Sequence, residues 1–163
     1  MPIAIQEDML SGSSMLEKFE HARALGVQGV EFWSAGLTAE VPEIVLAMER
    51  TGIQAAAVCF NSPGQLLDPQ PAEREKALAN LRRAITDAVD IGAAGVVFVP
   101  VFGAPILPDL SPWMSAPELE AEMLHMHLRT LSDFAEALGV DLYVEPLNRY
   151  ETHFLNRLEQ AAR

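Results

Sequence analysis

The sequence is poor in cysteine and in positive charge, and it has no long apolar run. Its one cysteine, Cys59, excludes an internal disulfide and a cysteine-cluster metal site, and its apolar neighbours (AAAVCF) predict a small buried hydrophobic residue rather than a reactive thiol. Lys and Arg number 11 against 23 Asp and Glu, and the net charge of −12 disfavours nucleic acid and anionic membranes as partners. No stretch approaches the ~20 apolar residues of a membrane span, and the start MPIAIQEDML does not resemble a signal peptide. We therefore expect a cytoplasmic protein with a small-molecule ligand.

Short apolar segments alternate with segments of helical periodicity along the whole chain, whose 163 residues correspond to about one domain. Five strands are predicted: IAIQ (3–6), VQGVEFW (27–33), IQAAAVCF (53–60), AGVVFVPVF (94–102) and VDLYVE (140–145). Between the later strands, apolar residues recur at spacings of three and four, for example at Leu124, Leu128, Leu131, Ala135 and Leu138. A glycine suited to ending a helix stands at each helix-to-strand passage: Gly26, Gly52, Gly92 and Gly139.

This alternation predicts an α/β protein with a parallel sheet, either doubly wound or a (β/α) barrel. No G-x-G-x-x-G or P-loop motif follows a strand, which weakens the nucleotide-binding, doubly wound alternative. Long loops at 61–73 and 103–118 follow the third and fourth strands, where a barrel builds its active site, and the second is apolar enough to be expected as a lid. Only five of the eight βα units of a closed barrel can be found, so we expect a partial TIM-type barrel with two open sheet edges.

The fifth predicted strand ends on a carboxylate. Strand alternation along VDLYVE directs Tyr143 and Glu145 toward the barrel interior. Leu142 and Val144 then face the helices. Pro146 ends the ladder hydrogen bonds, which leaves Glu145 at the mouth of the barrel. A buried carboxylate is costly unless it is paired or bound to a metal, so Glu145 is either a functional group or half of a salt bridge, for which Arg149 is the candidate partner.

A second carboxylate, Glu151, follows in the loop after this strand. Two carboxylates that reach one cleft suit a cation and a polyhydroxylated ligand, although Glu151 is equally compatible with a solvated position. The histidines suggest no further ligand. His125 and His127 are two residues apart on a helix and do not share a face, and His153, which could line the cleft, is expected to be solvated.

The stretch YVEPLNRYETHFLN resembles the fifth-strand motif of the xylose isomerase-like TIM barrels, in the branch of sugar phosphate isomerases and epimerases. It is similar to that of the ketose 3-epimerases, which has a Glu, then L-N-R-[FY]-E and a downstream Asn. LGVQGVEFW (25–33) and LLDPQPAEREKALANLRRAITDAVDIGAAGVVFVP (66–100) resemble the family's second strand and its third helix with the fourth strand. The resemblance covers essentially all 163 residues and implies that they are the N-terminal part of a single barrel domain that stops after the fifth strand.

The resemblance also implies roles for three residues. Glu145 matches the glutamate that binds a divalent metal and acts as one of two acid/base groups. Glu151 matches the glutamate that holds a substrate hydroxyl near the reacting carbon, and Trp113 matches an aromatic residue that walls the substrate pocket. The implied function is isomerisation or epimerisation of a ketose or sugar phosphate through a cis-enediolate, with Mn²⁺, Mg²⁺ or Co²⁺ as cofactor.

The sequence departs from the family in two respects. The remaining Asp, His and Glu ligands of the family come from strands six to eight, none of which is found in this chain. The family's Asn-Thr after the fifth-strand loop is Asn156-Arg157 here.

Two alternatives accompany this interpretation. A zinc-dependent endonuclease similar to endonuclease IV requires histidines after strands three and four, where this chain has Phe60-Asn61 and Pro100-Val101, and the charge of −12 opposes it. The other alternative is a catalytically incomplete fragment or binding module of the same fold, because a single carboxylate cannot hold a metal in a defined geometry. We accordingly expect little or no turnover from the 163-residue chain by itself. The sugar, its phosphorylation and homo-oligomerisation are left open by the sequence.

Overall fold

The computed structural model describes residues 2–162, in which strands and helices alternate. The strands are β1 Ala4–Gln6, β2 Gly29–Trp33, β3 Gln54–Cys59, β4 Gly95–Phe98 and β5 Asp141–Val144. The α-helices are α1 Met15–Leu25, α2 Leu37–Thr51, α3 Pro71–Asp90, α4 Ala116–Leu138 and α5 Leu158–Ala161, and a 3-10 turn at Glu7–Met9 follows β1. In this described part of the chain, no helix is both long and apolar enough to cross a bilayer.

The five strands form one parallel sheet in chain order, β1-β2-β3-β4-β5. A doubly wound sheet reverses its strand order at a switch point, whereas a barrel adds each strand beside the previous one. Helices α1 to α4 contact one another in the same order, which places them in one layer on one side of the sheet. The structure is therefore the predicted partial (β/α) barrel and not the doubly wound alternative.

All five predicted strands are present, each slightly shorter than predicted. The largest difference is in the fourth strand, which was expected over 94–102 and ends at Phe98. Pro100 has no N–H to donate to a neighbouring strand, so the apolar residues beyond Phe98 belong to a loop instead. Helices α3 and α4 begin at Pro71 and Ala116, inside the spans predicted as long loops.

The hydrophobic core lies between the sheet and the helix layer. Alternate strand residues point into it and are at most 1% exposed: Val30, Phe32, Val58, Val96 and Phe98. Helix residues cover them from the other side, including Phe19, Ile44, Leu81, Ile85 and Leu131. The rings of Phe19 and Phe32 stack with their centroids 6.1 Å apart. Burial of each large apolar side chain contributes about 1.5–3 kcal/mol, which fixes this face of the sheet against the helices.

The ends of the helices agree largely with the glycine pattern. Gly26, Gly52 and Gly139 are C-caps with positive φ, whereas α3 ends at Asp90 and its C-cap is Ile91, one residue before Gly92. Helix α4 begins with a capping box, in which Ser115 donates from its backbone N–H and its hydroxyl to the Glu118 carboxylate at 2.8 and 2.6 Å. These signals position α4 between the loop after β4 and the start of β5.

The other face of the sheet is the barrel interior. Leu142 and Val144 of β5 pack against the core, and Tyr143 projects from the opposite face, as the strand alternation predicts. A Cβ atom on Gly95 would lie 2.4 Å from Cε2 of Tyr143, so the ring occupies the space that any other residue at position 95 would fill. Glycine at this point of β4 is required by close approach of a neighbouring side chain.

Candidate active site

A cleft of about 430 Å³ opens at the carboxyl ends of the strands. Trp33 at the end of β2, Cys59 at the end of β3, and Glu145 directly after β5 contribute side chains to its wall, and Glu151 reaches it from the following loop. Leu147 and the loops after β3 and β4 complete the wall with Phe60, Asn61, Ser62, Gly64, Gln65, Leu66, Val99, Pro100, Val101 and Phe102. Parallel strands bring their carboxyl ends to one edge of a barrel, which is where barrel enzymes build their active sites.

Glu145 stands at the mouth of this cleft. Its backbone N–H donates to the carbonyl of Phe98 at 2.9 Å, which continues the β4–β5 pairing one residue past the strand. Its side chain is half-buried in the cleft wall. The alternative salt bridge with Arg149 does not form in residues 2–162, because the Arg149 guanidinium lies over the Tyr150 ring, 5.0 Å from its centroid.

Glu151 lines the same cleft from the loop after β5. The side-chain amide of Asn148 donates to its Oε2 at 2.7 Å, and the Asn148 carbonyl accepts its backbone N–H at 3.0 Å. This tight turn leaves the Glu151 carboxylate exposed. The structure thus brings Glu145 and Glu151 to one cleft, while the roles implied for them stay predictions.

Trp113 is not part of the cleft wall. Its side chain is 87% exposed in the loop between β4 and α4, where Leu110 and Met114 form an isolated bridge. No described residue of loop 103–118 lines the cleft, so both the role of Trp113 and the closure of this loop as a lid stay predictions. The tryptophan that does line the cleft is Trp33, whose Nε1–H donates to Asp8 Oδ2 at 3.1 Å.

Glu31 in β2 is a third carboxylate of the barrel interior and was not singled out from the sequence. With its amide nitrogen toward Glu31, Gln6 donates to the Glu31 carboxylate, and its oxygen shares the indole N–H of Trp33 with Asp8. Burial, and then the negative charge of Glu145, raises the pKa of Glu31. The sequence feature that could have identified Glu31 is that it is the one charged residue of the apolar strand VQGVEFW.

Cys59 is half-buried rather than buried, and it lies in the cleft wall. Burial, followed by the charges of Glu31 and Glu145, raises the pKa of its thiol to about 11. The thiolate is the nucleophilic form, so the raised pKa favours an inert thiol over a reactive one, whereas the predicted full burial is wrong.

Hydrogen bonds join the loops after β2 and β3 at the edge of the cleft. The hydroxyl of Ser34, a residue only 6% exposed, accepts the backbone N–H of Asn61 at 3.1 Å and lies 2.9 Å from the hydroxyl of Ser62. The Asn61 side-chain oxygen accepts the backbone N–H of Ala35 at 2.8 Å. These bonds hold Asn61 and Ser62 in place in the wall.

The expectation that His153 is solvated is wrong. Its side chain is 16% exposed, and Nε2 lies 2.7 Å from the carboxylate of Glu120 on α4. Loop position alone does not reveal this, because the partner lies 33 residues away in sequence. On α4 itself, His127 is buried against the core while His125 is exposed, so the two do not share a face, as predicted.

The residues of the cleft offer part of a metal site. Glu145 provides an oxygen ligand of the type that Mn²⁺ and Mg²⁺ prefer, at a position open to the cleft. Within residues 2–162, however, no three His, Cys, Asp or Glu side chains are grouped so that they could hold a metal ion. The described residues therefore fit one side of a coordination shell and do not complete it.

Comparison with known proteins identifies the family. A sequence model described as xylose isomerase-like TIM barrel matches residues 19–163. The chain belongs to this family, in agreement with the resemblance of its fifth-strand motif.

A curated relative and a solved structure, both from Escherichia coli, are named as sugar epimerases. The 3-dehydro-D-guloside 4-epimerase of strain K12 is 29% identical over 165 residues, which span 100% of this chain and 63% of that protein. The crystal structure of apo 3-keto-D-glucoside 4-epimerase superposes with a TM-score of 0.86 at 28% identity, over 100% of this chain and 62% of that one. The chain thus spans less than two thirds of the length of these relatives.

A more distant structure confirms the fold alone. D-psicose 3-epimerase from Clostridium cellulolyticum H10, solved with D-tagatose, matches with a TM-score of 0.80 at 20% identity. The match covers 98% of this chain and 57% of that one.

Proposed function

We propose that the chain forms one side of the active site of a metal-dependent sugar isomerase or epimerase that acts on a ketose or a sugar phosphate. The observation that carries the proposal is the placement of Glu145 and Glu151 in one cleft at the carboxyl ends of the strands. Membership of the xylose isomerase-like barrels, with relatives named as sugar epimerases, supports it.

Epimerisation or isomerisation of this kind removes a proton from a carbon next to a carbonyl and returns one to the same or a neighbouring carbon. A carboxylate at the cleft mouth suits this step, and Glu145 takes the proton as the general base while the sugar becomes a cis-enediolate. The half-buried position of Glu145 limits competing hydrogen bonds from water. A second acid/base group is needed to return a proton on the opposite face of the sugar.

Glu151 binds and orients the sugar. Its carboxylate is exposed in the cleft, with Oε2 fixed by the amide of Asn148, and so it can accept a hydrogen bond from a sugar hydroxyl. Trp33 and Phe102 provide apolar surface in the same cleft for the carbon face of the ring or chain. Because binding must place the reacting carbon against Glu145, both kinds of contact contribute to orientation.

Glu145 is also the residue of this chain that would hold the divalent ion, for which Mn²⁺, Mg²⁺ and Co²⁺ are the candidates. When bound, such an ion acts as a Lewis acid that polarises the sugar carbonyl. The partial ligand set of residues 2–162 supports a second candidate function, a sugar-binding unit of this fold that is catalytically incomplete by itself.

Turnover assays separate these two functions. The 163-residue chain and, where the reading frame continues beyond Arg163, the continued protein are incubated with a panel of ketoses and ketose phosphates. We expect Mn²⁺-stimulated, EDTA-sensitive interconversion by the continued protein and little or none by the 163-residue chain. Sugar binding without turnover by either protein overturns the enzymatic proposal and favours the binding unit.

A further inference from the structure

We infer that Glu120 and His153 are positioning residues that fix the loop carrying Glu151 against the loop after β4. The consequence for sugar binding rests on the proposed function, whereas the fixing of the loop does not. The inference starts from Glu120, whose side chain is completely buried although it is a carboxylate.

Glu120 lies in the first part of α4, one helical turn before Leu124 and on the same buried stripe. Both of its oxygens point at Nε2 of His153, at distances of 2.8 and 2.7 Å. A buried carboxylate is costly unless a hydrogen-bonded partner compensates it. His153 therefore provides the partner without which Glu120 would not be accommodated at this point of the core.

The second ring nitrogen of His153 determines where the protons lie. Its Nδ1 is 2.8 Å from the carbonyl oxygen of Gly103, which can only accept a hydrogen bond, so Nδ1 carries a hydrogen. One further proton must lie between Nε2 and Glu120, because a bare ring nitrogen and a bare carboxylate would repel each other. The imidazole is thus held at both nitrogens and has no freedom to rotate.

Gly103 connects this ring to the backbone of Glu151. Its carbonyl accepts the backbone N–H of His153 at 3.1 Å in addition to Nδ1–H, and its own N–H donates to the carbonyl of Glu151 at 2.7 Å. The result is a short parallel bridge between Gly103 and Thr152. Glu120 therefore acts on Glu151 through two hydrogen-bonded steps, His153 and Gly103, neither of which lines the cleft.

The residues on the carboxyl side of His153 anchor the loop in the core but leave Glu151 on its exposed part. Phe154 and Leu155 are each 8% exposed and belong to the hydrophobic cluster. Without the Glu120–His153 pair, the loop would keep this anchor, while the bridge at Gly103 would lose its side-chain support. The pair is thus expected to control the placement of Glu151 without being needed for the fold.

Amide hydrogen exchange on the 163-residue chain tests the fixing of the loop. In Glu120→Leu, the amides of Gly103 and His153 should exchange about tenfold faster or more, while the amide of Val96 in β4 reports global opening and keeps its protection. Glu120→Gln should stay within about twofold of the unaltered chain, because the amide can donate to Nε2 while Nδ1–H stays on Gly103.

Asp87→Leu is the matched control, since Asp87 on α3 is another buried helix carboxylate, 1% exposed. It accepts a hydrogen bond from Thr38 of α2 and makes none with the loop that carries Glu151. The inference is overturned if Glu120→Leu leaves the Gly103 and His153 amides protected, if Asp87→Leu accelerates them equally, or if Glu120→Gln fails to restore protection.

Kinetics on a protein that turns over a ketose test the consequence for binding. Glu120→Leu should raise KM about tenfold with a smaller change in kcat, and Glu120→Gln should restore KM. Combining Glu120→Leu with Glu151→Gln should add little to Glu151→Gln alone, because the two changes remove the same contact. Fully additive effects, or a fall in kcat with KM unchanged, contradict a positioning role. If no ketose is turned over, the proposed function fails, and the exchange experiment alone decides the inference.

Discussion

Glu31 on β2 and Glu145 after β5 share the interior of the partial barrel, and the charge of Glu145 raises the pKa of Glu31 across the two strands between them. Burial of Glu31 acts in the same direction and is the larger cause. Two like charges in one half-enclosed space make the site unfavourable for a third anion and favourable for a cation. Glu31 thus adds negative charge near the Glu145 side of the cleft, although it does not itself line the cleft.

Glu31→Gln should stabilise the protein at neutral pH. Because the pKa of Glu31 is raised in the folded state, its ionised form is less favourable there than in the unfolded chain. Above the folded pKa, this carboxylate therefore lowers the free energy of unfolding. The stability gained by Glu31→Gln should be present at pH 7. It should disappear as the pH falls below 4.5, the ordinary pKa of a glutamate, because the carboxyl group is then protonated in both states. Urea unfolding at pH 7 and pH 4 measures it. Glu122→Gln, on the exposed face of α4, is the control and should change neither midpoint.

The Cys59 thiol should react slowly in the folded protein. With the pKa raised from 9.0 to about 11, its thiolate fraction at pH 8 is about a hundredfold lower than that of an unperturbed thiol. Alkylation by iodoacetamide, followed by mass spectrometry, should therefore accelerate by about that factor when the protein is unfolded in urea. Equal rates in the two states argue against the burial and charge described for Cys59.

His127 should make the protein lose stability as the pH falls. Burial is the main reason that its pKa is lowered from 6.5, Arg74 acts in the same direction, and the Leu66 carbonyl partly opposes them. The unfolded chain then binds the proton more readily, so stability decreases below pH 6.5, by at most about 1.4 kcal/mol per pH unit for this group.

Unfolding at pH 7.5 and pH 5.5 checks this effect. His127→Leu should lose less stability between the two pH values than the unaltered chain, and it also removes an Nε2 atom that is buried without a hydrogen-bond partner. His125→Gln, at an exposed position of the same helix, should behave like the unaltered chain. The same loss in all three proteins assigns the pH dependence to other groups.

Glu151→Gln should weaken sugar binding more than it slows the chemical step. A hydrogen bond to a carboxylate contributes about 1.5–3 kcal/mol, so the variant should raise KM about 10- to 150-fold. Glu159→Gln, on the exposed surface of α5, should leave KM unchanged. A loss confined to kcat would instead place Glu151 among the groups that transfer protons.

Much of the fold was predictable because its causes are local. Apolar periodicity and the glycines at Gly26, Gly52 and Gly139 mark where elements begin and end. Strand alternation predicts that Glu145 faces the barrel interior, and Glu145 does line the cleft directly after β5. The fourth strand was predicted too long because the apolar run continues past Phe98. Those further residues belong to the loop after β4 and line the cleft wall.

The parts of the site that were missed depend on contacts distant in sequence. Glu31 was a visible anomaly in an apolar strand, but its importance comes from Glu145, which lies three strands further along the chain. The Glu120–His153 pair joins a helix to a loop, and no local pattern at either residue indicates the other. The lid expected from the apolar loop 103–118 and the pocket role implied for Trp113 stay predictions, since the side chain of Trp113 is exposed and outside the cleft wall.

The most direct test of the central claim is the incorporation of solvent deuterium. In ²H₂O with Mn²⁺ and a ketose that the protein turns over, the product should carry deuterium at the reacting carbon, because the sugar proton passes to a carboxylate that exchanges with solvent. Glu145→Gln should lower the rate of incorporation by about 10²- to 10⁴-fold, while Glu122→Gln leaves it unchanged. Undiminished incorporation by Glu145→Gln would contradict the assignment of Glu145 as the proton-transfer group.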